Sequence, residues 1–302
     1  MKWLRRLGIA AGVLVIIVII AVGTVFAVTE RHFNRDWSRI KGKALTVSSD
    51  SITVTRGAHL ARAVGKCVDC HGETLGGKRF IDDPALGLVV ASNITTGKGG
   101  VLAKYDNAAL ERVLRHGVKW DGRGARIMPA HEFSYFADDD LAAIIAYVRS
   151  VPAVDNELPP TDLKLLARVL NVAGQFPMLD VERIDHARVS PATMPFAPTA
   201  EYGQYSMRVG GCFACHGETL SGGKIPGVPP EWPPAANLTP TGLVAYKSEA
   251  DFVKLLRTGM RPSGPPVNNV MPWQYAKDLT DDEIHAIWLY LQTVPKKEFG
   301  GR

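Results

Sequence analysis

The chain has 302 residues, 46% of them hydrophobic and 22% charged, with a formal net charge of +5. That length suggests two domains. Lys2, Arg5 and Arg6 supply three of the positive charges ahead of an apolar run, and no basic stretch interleaved with aromatics follows. The composition therefore excludes a phosphate-gripping nucleic-acid surface.

Leu7 to Val28 is apolar apart from Thr24. As a helix it rises ~33 Å at ~1.5 Å per residue, enough to cross a hydrocarbon core. A cleaved signal peptide is the competing reading, with Val25-Phe26-Ala27 as a passable cleavage site. The run is longer than a signal core, so an uncleaved anchor over residues 1–28 is expected. Residues 29–50 read as a juxtamembrane linker. Charge alone leaves the orientation open. Lys2, Arg5 and Arg6 point to a cytoplasmic N-terminus, yet Arg31, Arg35, Arg39, Lys41 and Lys43 flank the other end.

A first domain is expected over residues 51–152. Thr53 to Lys66 reads as a helix with Gly57 and Ala61 on a small-residue face. Cys67-Val68-Asp69-Cys70-His71 follows, the CxxCH pattern in which two thiols add across the vinyl groups of haem and the histidine is placed to ligate the iron. The stretch beyond it is rich in Gly and Pro, which suits a pocket wrapped around a flat apolar cofactor. Leu141, Ile144, Ile145 and Val148 mark a closing helix that stops at Pro152.

Residues 153–200 carry Pro159, Pro160, Pro177, Pro191, Pro195 and Pro198, which forbids one long helix. A short helix is predicted over Asp162 to Ala173, with a stripe at Leu166, Val169, Leu170 and Ala173, docked between or across the domains. His186 reads as exposed.

A second domain is expected over residues 201–302. Cys212-Phe213-Ala214-Cys215-His216 stands 145 residues after the first motif, and Gly-Glu-Thr-Leu follows both. Gly203 answers Gly57. Ile284, Ile287, Trp288 and Leu291 repeat the closing stripe before Pro295, and Thr280 with Glu283 reads as a capping box. The chain is thus a duplication of one domain. All four cysteines lie in the two motifs, so none remains for a structural disulfide. Zinc or a dithiol redox motif is the bland alternative, disfavoured by the wide separation of the pairs and the histidine after each.

A six-coordinate haem iron needs one more ligand, and methionine is a common one that raises the reduction potential. Met128, in Ile127-Met128-Pro129, is the one methionine between His71 and Pro152; Met271-Pro272 follows 143 residues later, near the repeat offset. Met128 and Met271 are therefore the expected sixth ligands. Met260 is the runner-up in the second half. His59, His116, His131 and His285 have no histidine at the repeat position and read as surface or satisfied residues. Asn93 with Asn237, and Arg115 with Arg257, also repeat. They suit haem propionates as well as turn capping and solvent. Trp273 and Tyr275 suit the haem wall as well as the core.

These motifs together resemble class I cytochrome c domains, over residues 51–152 and 200–295. More closely, the chain is similar to the multihaem cytochrome c subunits of bacterial membrane-bound dehydrogenases for alcohols, gluconate and aldehydes. The resemblance implies a mainly α fold of two tandem, loop-rich cytochrome c domains after an N-terminal transmembrane helix. It implies two covalently bound haem c groups, at Cys67 and Cys70 and at Cys212 and Cys215. Their irons would be ligated by His71 with Met128 and by His216 with Met271. CxxCH attachment takes place outside the cytoplasm, so the haem domains are expected in the periplasm, tethered to the bacterial inner membrane by a single pass. The expected function is electron transfer rather than catalysis. The donor would be a periplasmic dehydrogenase, and the acceptor an oxidase, the quinone pool or another cytochrome. A dihaem enzyme such as a peroxidase, with one open iron, is the alternative.

Overall fold

The computed structural model describes residues 2–302. Its first helix, α1 (Lys2–Phe33), is long and apolar enough to cross a membrane. It runs past the expected limit at Val28 because nothing in Thr29–Phe33 breaks it. The Thr29 hydroxyl donates back to the Val25 carbonyl at 2.8 Å, and both Thr29 and Phe33 are buried.

In the first domain, α2 (Ser51–His59) starts at Asp50, whose carboxylate accepts from the amides of Ile52 and Thr53. The expected single helix then widens into a π-helical turn over Leu60–Val64. Gly57 lies ten residues before Cys67 and Gly203 nine before Cys212, so the wider turn absorbs one extra residue and keeps the motif in register. α3 (Cys67–His71) is the first CxxCH motif. The strands β1 (Lys78–Asp83) and β2 (Gly87–Ala91) pair antiparallel. α4 (Asn107–His116), α5 (Ala130–Phe133) and α6 (Asp138–Ser150) complete the domain. A third strand, β3 (Asp162–Leu163), adds to β2.

After α7 (Leu165–Val172), the pattern repeats as α8 (Ala200–Val209), α9 (Cys212–His216), α10 (Glu249–Thr258), α11 (Trp273–Ala276) and α12 (Asp281–Thr293). The capping box at Thr280 and Glu283 is formed. In each half the first helix crosses the closing helix at a glycine. A Cβ on Gly57 would lie 1.9 Å from the Ala143 carbonyl oxygen, and one on Gly203 2.0 Å from that of Ala286.

The segment after Pro152 does more than separate the halves. Asn156 and Thr161 bond to the Gly76–Gly77 turn and to β2, and the carbonyls of Pro191 and Ala192 accept from Asp138 and Asp139 at the start of α6. Most of it thus packs on the first domain. Its short helix, α7, docks on α1 rather than between or across the domains. Arg168 donates to Thr29 at 2.8 Å and pairs with Glu30 at 2.7 Å, while Asn171 meets His32 at 3.2 Å.

The two halves share one continuous apolar core, and their polar contacts are exchanged. Tyr205 of α8 donates to Asp140 of α6 at 2.6 Å; at the corresponding position His59 of α2 meets Glu283 of α12 at 2.9 Å. Tyr275, four residues past Met271, donates to Asp69 inside the first CxxCH motif at 3.0 Å. Glu132, four past Met128, lies against Gly211 at the entrance to the second.

Of the histidines read as surface or satisfied residues, His59 meets Glu283 at 2.9 Å, His285 meets Glu249 at 2.9 Å, and His131 lies 3.5 Å from Glu132. His186 departs from the expectation of an exposed residue. Its Nδ1 lies 3.1 Å from Nδ1 of buried His116, and its Nε2 lies 2.9 Å from the Val181 carbonyl oxygen. Burial, and then the neighbouring His186, push the His116 imidazole down to about 4. Its folded value thus lies below the unfolded value of 6.5. The unfolded chain binds the proton first, and stability falls as pH drops from 6.5 towards 4. A non-titrating His116→Gln should remove on the order of 2 kcal/mol of this loss. Unfolding free energies of both proteins at pH 7 and 4.5 check it.

Candidate functional site

The two CxxCH helices are entered from the left-handed region. Lys66 has φ 51° and Gly211 φ 74°. Eight residues past the first cysteine, Leu75 and Leu220 repeat the conformation at φ 58° and 57°. The amides of Ile94 and Leu238 then donate to the carbonyls of these two leucines at 3.0 and 2.8 Å. This closes a loop that returns a backbone carbonyl to each haem-motif histidine. His71 Nδ1 lies 2.8 Å from the Ser92 oxygen, and His216 Nδ1 lies 2.7 Å from the Ala236 oxygen. A carbonyl only accepts, so Nδ1 carries the proton and Nε2 keeps its lone pair. Burial holds both imidazoles below their ordinary pKa, in the neutral form that ligates metals.

In the first domain Cys67, Cys70, His71 and Met128 all line one cavity of about 390 Å³. Its remaining wall is largely apolar, with Ile94, Leu102, Phe133, Ile145 and, from α1, Phe33 among the lining residues. Met128 is delivered by Ile127, a β-branched residue at φ 59°, where such side chains are strained. The Ile127 amide is pinned to the Met178 carbonyl at 2.8 Å, so the segment between the domains helps to hold the methionine loop. In the second domain the Met271 turn has the same form. The amide two residues on donates to the methionine carbonyl at 2.8 Å in both copies, and Pro129 and Pro272 share nearly the same backbone angles. Met271 and Cys212 pack against the shared core.

The paired Asn and Arg residues hold loops. Asn93 and Asn237 each accept from the amide two residues on and donate to the segment after the closing helix, at Val154 and Lys297 respectively. Arg115 and Arg257 tie the turn before the closing helix to the residues that begin it. Arg115 reaches the Phe136 carbonyl and Asp138, and Arg257 the Leu279 carbonyl and Asp281. Trp273 packs over Gly259, and its Nε1 is buried without a partner among the described residues. A free indole donor two residues from Met271 suits a group that brings its own acceptor, as haem propionates do. Tyr275 turns instead to Asp69, a contact between domains that spacing could not reveal.

The alternatives fare poorly. Burial pushes the Cys67 thiol up to about 11 and Cys70 up to about 12, and raises Cys212 and Cys215 as well. A dithiol redox motif needs the opposite shift. Among the described residues no group of three or more His, Cys, Asp and Glu side chains could hold a metal, so a four-ligand zinc site lacks its donors.

Residues 53–148 match the family model for cytochrome c oxidase, cbb3-type, subunit III, and residues 200–295 match that for cytochrome c. The chain is a dihaem cytochrome c. Two covalently bound haem c groups follow from its two domains. The cytochrome is 28% identical to the alcohol dehydrogenase (quinone), cytochrome c subunit of Gluconacetobacter polyoxogenes, over 86% of its own length and 60% of the relative's. It is 27% identical to the fructose dehydrogenase cytochrome subunit of Gluconobacter japonicus, over 83% and 54% of the two chains. It is 33% identical to the gluconate 2-dehydrogenase cytochrome c subunit of Pantoea cypripedii, over 31% and 22% of the two chains. The cytochrome spans less than two thirds of the length of each of these relatives.

Proposed function

We propose that this cytochrome is the membrane-anchored electron-transfer subunit of a periplasmic dehydrogenase. Cys67 and Cys70 would hold one haem, with His71 and Met128 as the ligands of its iron, and Cys212 and Cys215 would hold the other, with His216 and Met271. When bound, each haem supplies an iron that accepts and returns one electron. The observation that carries this reading is the matched pair of histidines, each fixed by a backbone carbonyl with Nε2 free, with the methionine on the wall of the first cavity. The surrounding residues fix orientation and exclude water. The dehydrogenase is the donor, and the quinone pool, an oxidase or another cytochrome is the acceptor. α1 confines the protein to the inner membrane with both haem domains on the periplasmic side. The names of its relatives support the dehydrogenase partner.

With both irons ligated on both sides, the reduced protein binds carbon monoxide slowly or not at all. Met128→Ala opens the first iron: carbon monoxide binds there, and the midpoint potential of that haem falls by more than about 60 mV, a tenfold change in its reduction equilibrium. Met271→Ala does the same at the second. Rapid binding to one haem of the unaltered protein would instead assign it to catalysis, as in a dihaem peroxidase. Extraction from native membranes in mild detergent tests the partner. A dehydrogenase travelling with the chain at fixed ratio is the expected result.

A further inference from the structure

α7 is built inside out. Its buried residues are Ala167, Arg168 and Asn171, while Leu165, Leu166, Val169 and Val172 are 38%, 45%, 41% and 51% exposed. These four fall on one face at helical spacing. A helix at a water-facing surface puts its polar side outward; here the polar side is spent on α1. Arg168 donates to Thr29, pairs with Glu30 and lies over the Phe26 ring at 4.4 Å, and Asn171 meets His32.

These contacts also fix the height of α7. Thr29 with Arg168 and His32 with Asn171 both step by three residues, so the two helices run in the same direction. One turn further back, Leu165 is level with Phe26, inside the apolar run that ends at Val28. Above this level the chain is basic, with Arg31, Arg35, Arg39 and Lys41 after the run; Lys164, which precedes α7, is level with Val25 and turns its ammonium to the Pro84 carbonyl. An apolar face at the end of a membrane span, under a collar of positive charge, has the composition of an interfacial helix on an anionic bilayer.

We propose that α7 stands in the bilayer interface alongside α1, with Leu165 and Leu166 at the acyl boundary and Val169 and Val172 towards the headgroups, and so seats the first domain directly on the membrane. This rests on α1 being an anchor. It adds a second point of attachment, far along the chain from the first, which fixes the tilt of the domain rather than only its distance.

The test uses the full-length holoprotein in vesicles of phosphatidylcholine and phosphatidylglycerol. The four native cysteines are consumed by haem, so an introduced cysteine is the one free thiol. Leu166→Cys and Val169→Cys are compared with Val244→Cys, on an exposed part of the second domain, and with Val18→Cys, within the anchor. A haem content of two per chain confirms that each variant is folded. The expected result is that a sulfonated maleimide modifies the α7 thiols at least about tenfold more slowly than Val244→Cys, while a lipid-soluble maleimide reaches them. Reaction of the α7 thiols as fast as Val244→Cys, with Val18→Cys still protected, overturns the proposal and leaves the anchor standing. Fast reaction at Val18→Cys overturns both. Protection of the α7 thiols from both reagents means that protein covers the face, and also overturns it.

Discussion

Cys67→Ala combined with Cys70→Ala is expected to yield a chain with one haem instead of two and a first domain that does not fold. The reason lies in the cavity. For a closed apolar cavity of about 390 Å³ the cost of leaving it unfilled would be ~9 kcal/mol at about 24 cal/mol per Å³, an upper bound here because this one opens partly to solvent. That is comparable with the whole stability of a typical domain, about 5–15 kcal/mol. The cofactor is therefore part of the core of this domain. Haem-to-protein ratio and near-ultraviolet circular dichroism measure the two outcomes. A variant that keeps one haem yet retains the near-ultraviolet signal of the parent would show that the protein alone builds the domain.

Gly57→Ala is expected to cost about 3 kcal/mol or more, the upper end for overpacking. In an open helix the same change would gain roughly 0.5–1 kcal/mol. The sign reverses because the new methyl would meet the Ala143 carbonyl at 1.9 Å, and a helix backbone cannot step aside as a flexible side chain can. Gly203→Ala meets Ala286 at 2.0 Å and should cost a similar amount in the second half. Denaturant midpoints of the two holoproteins check both. An unchanged midpoint for either would mean that the crossing opens easily.

Much of this was legible in the sequence where a feature depends on neighbours along the chain. The CxxCH motifs, the Thr280–Glu283 capping box, the closing helices at Leu141 and Ile284, and the close-approach glycines at 57 and 203 are local patterns, and duplication displayed each twice. What stayed hidden depends on partners far away. β1 reads Lys-Arg-Phe-Ile-Asp-Asp and shows little alternation, and β3 is two residues long, so the sheet exists only once residues 78–91 and 162–163 meet. Asn93 and Arg115 repeat visibly, but whether they serve a propionate or a loop depends on Val154 and Phe136. The stripe in α7 was visible, yet its direction was not. Apolar residues at helical spacing normally face a core, and here Arg168 and Asn171 take that side. α4 and α10 went unread although their signals were present: Asp106 caps α4, and Gly117 and Gly259 end the two helices in the left-handed region.

The exchanged contacts between the halves have a consequence of their own. Each half offers the other nearly the patch that it receives: His59 and Tyr205 reach across to Glu283 and Asp140, and the turn after each methionine leans on the other half's haem motif. Such a surface closes by a half-turn and goes no further, as in a two-fold dimer of separate chains. Here both copies belong to one polypeptide, so each can change without changing the other. One crossing already holds a histidine against a glutamate where its counterpart holds a tyrosine against an aspartate. A pair of identical subunits would store two equivalent electrons; joined copies free to diverge can be ordered uphill and downhill, and that order gives the current a direction.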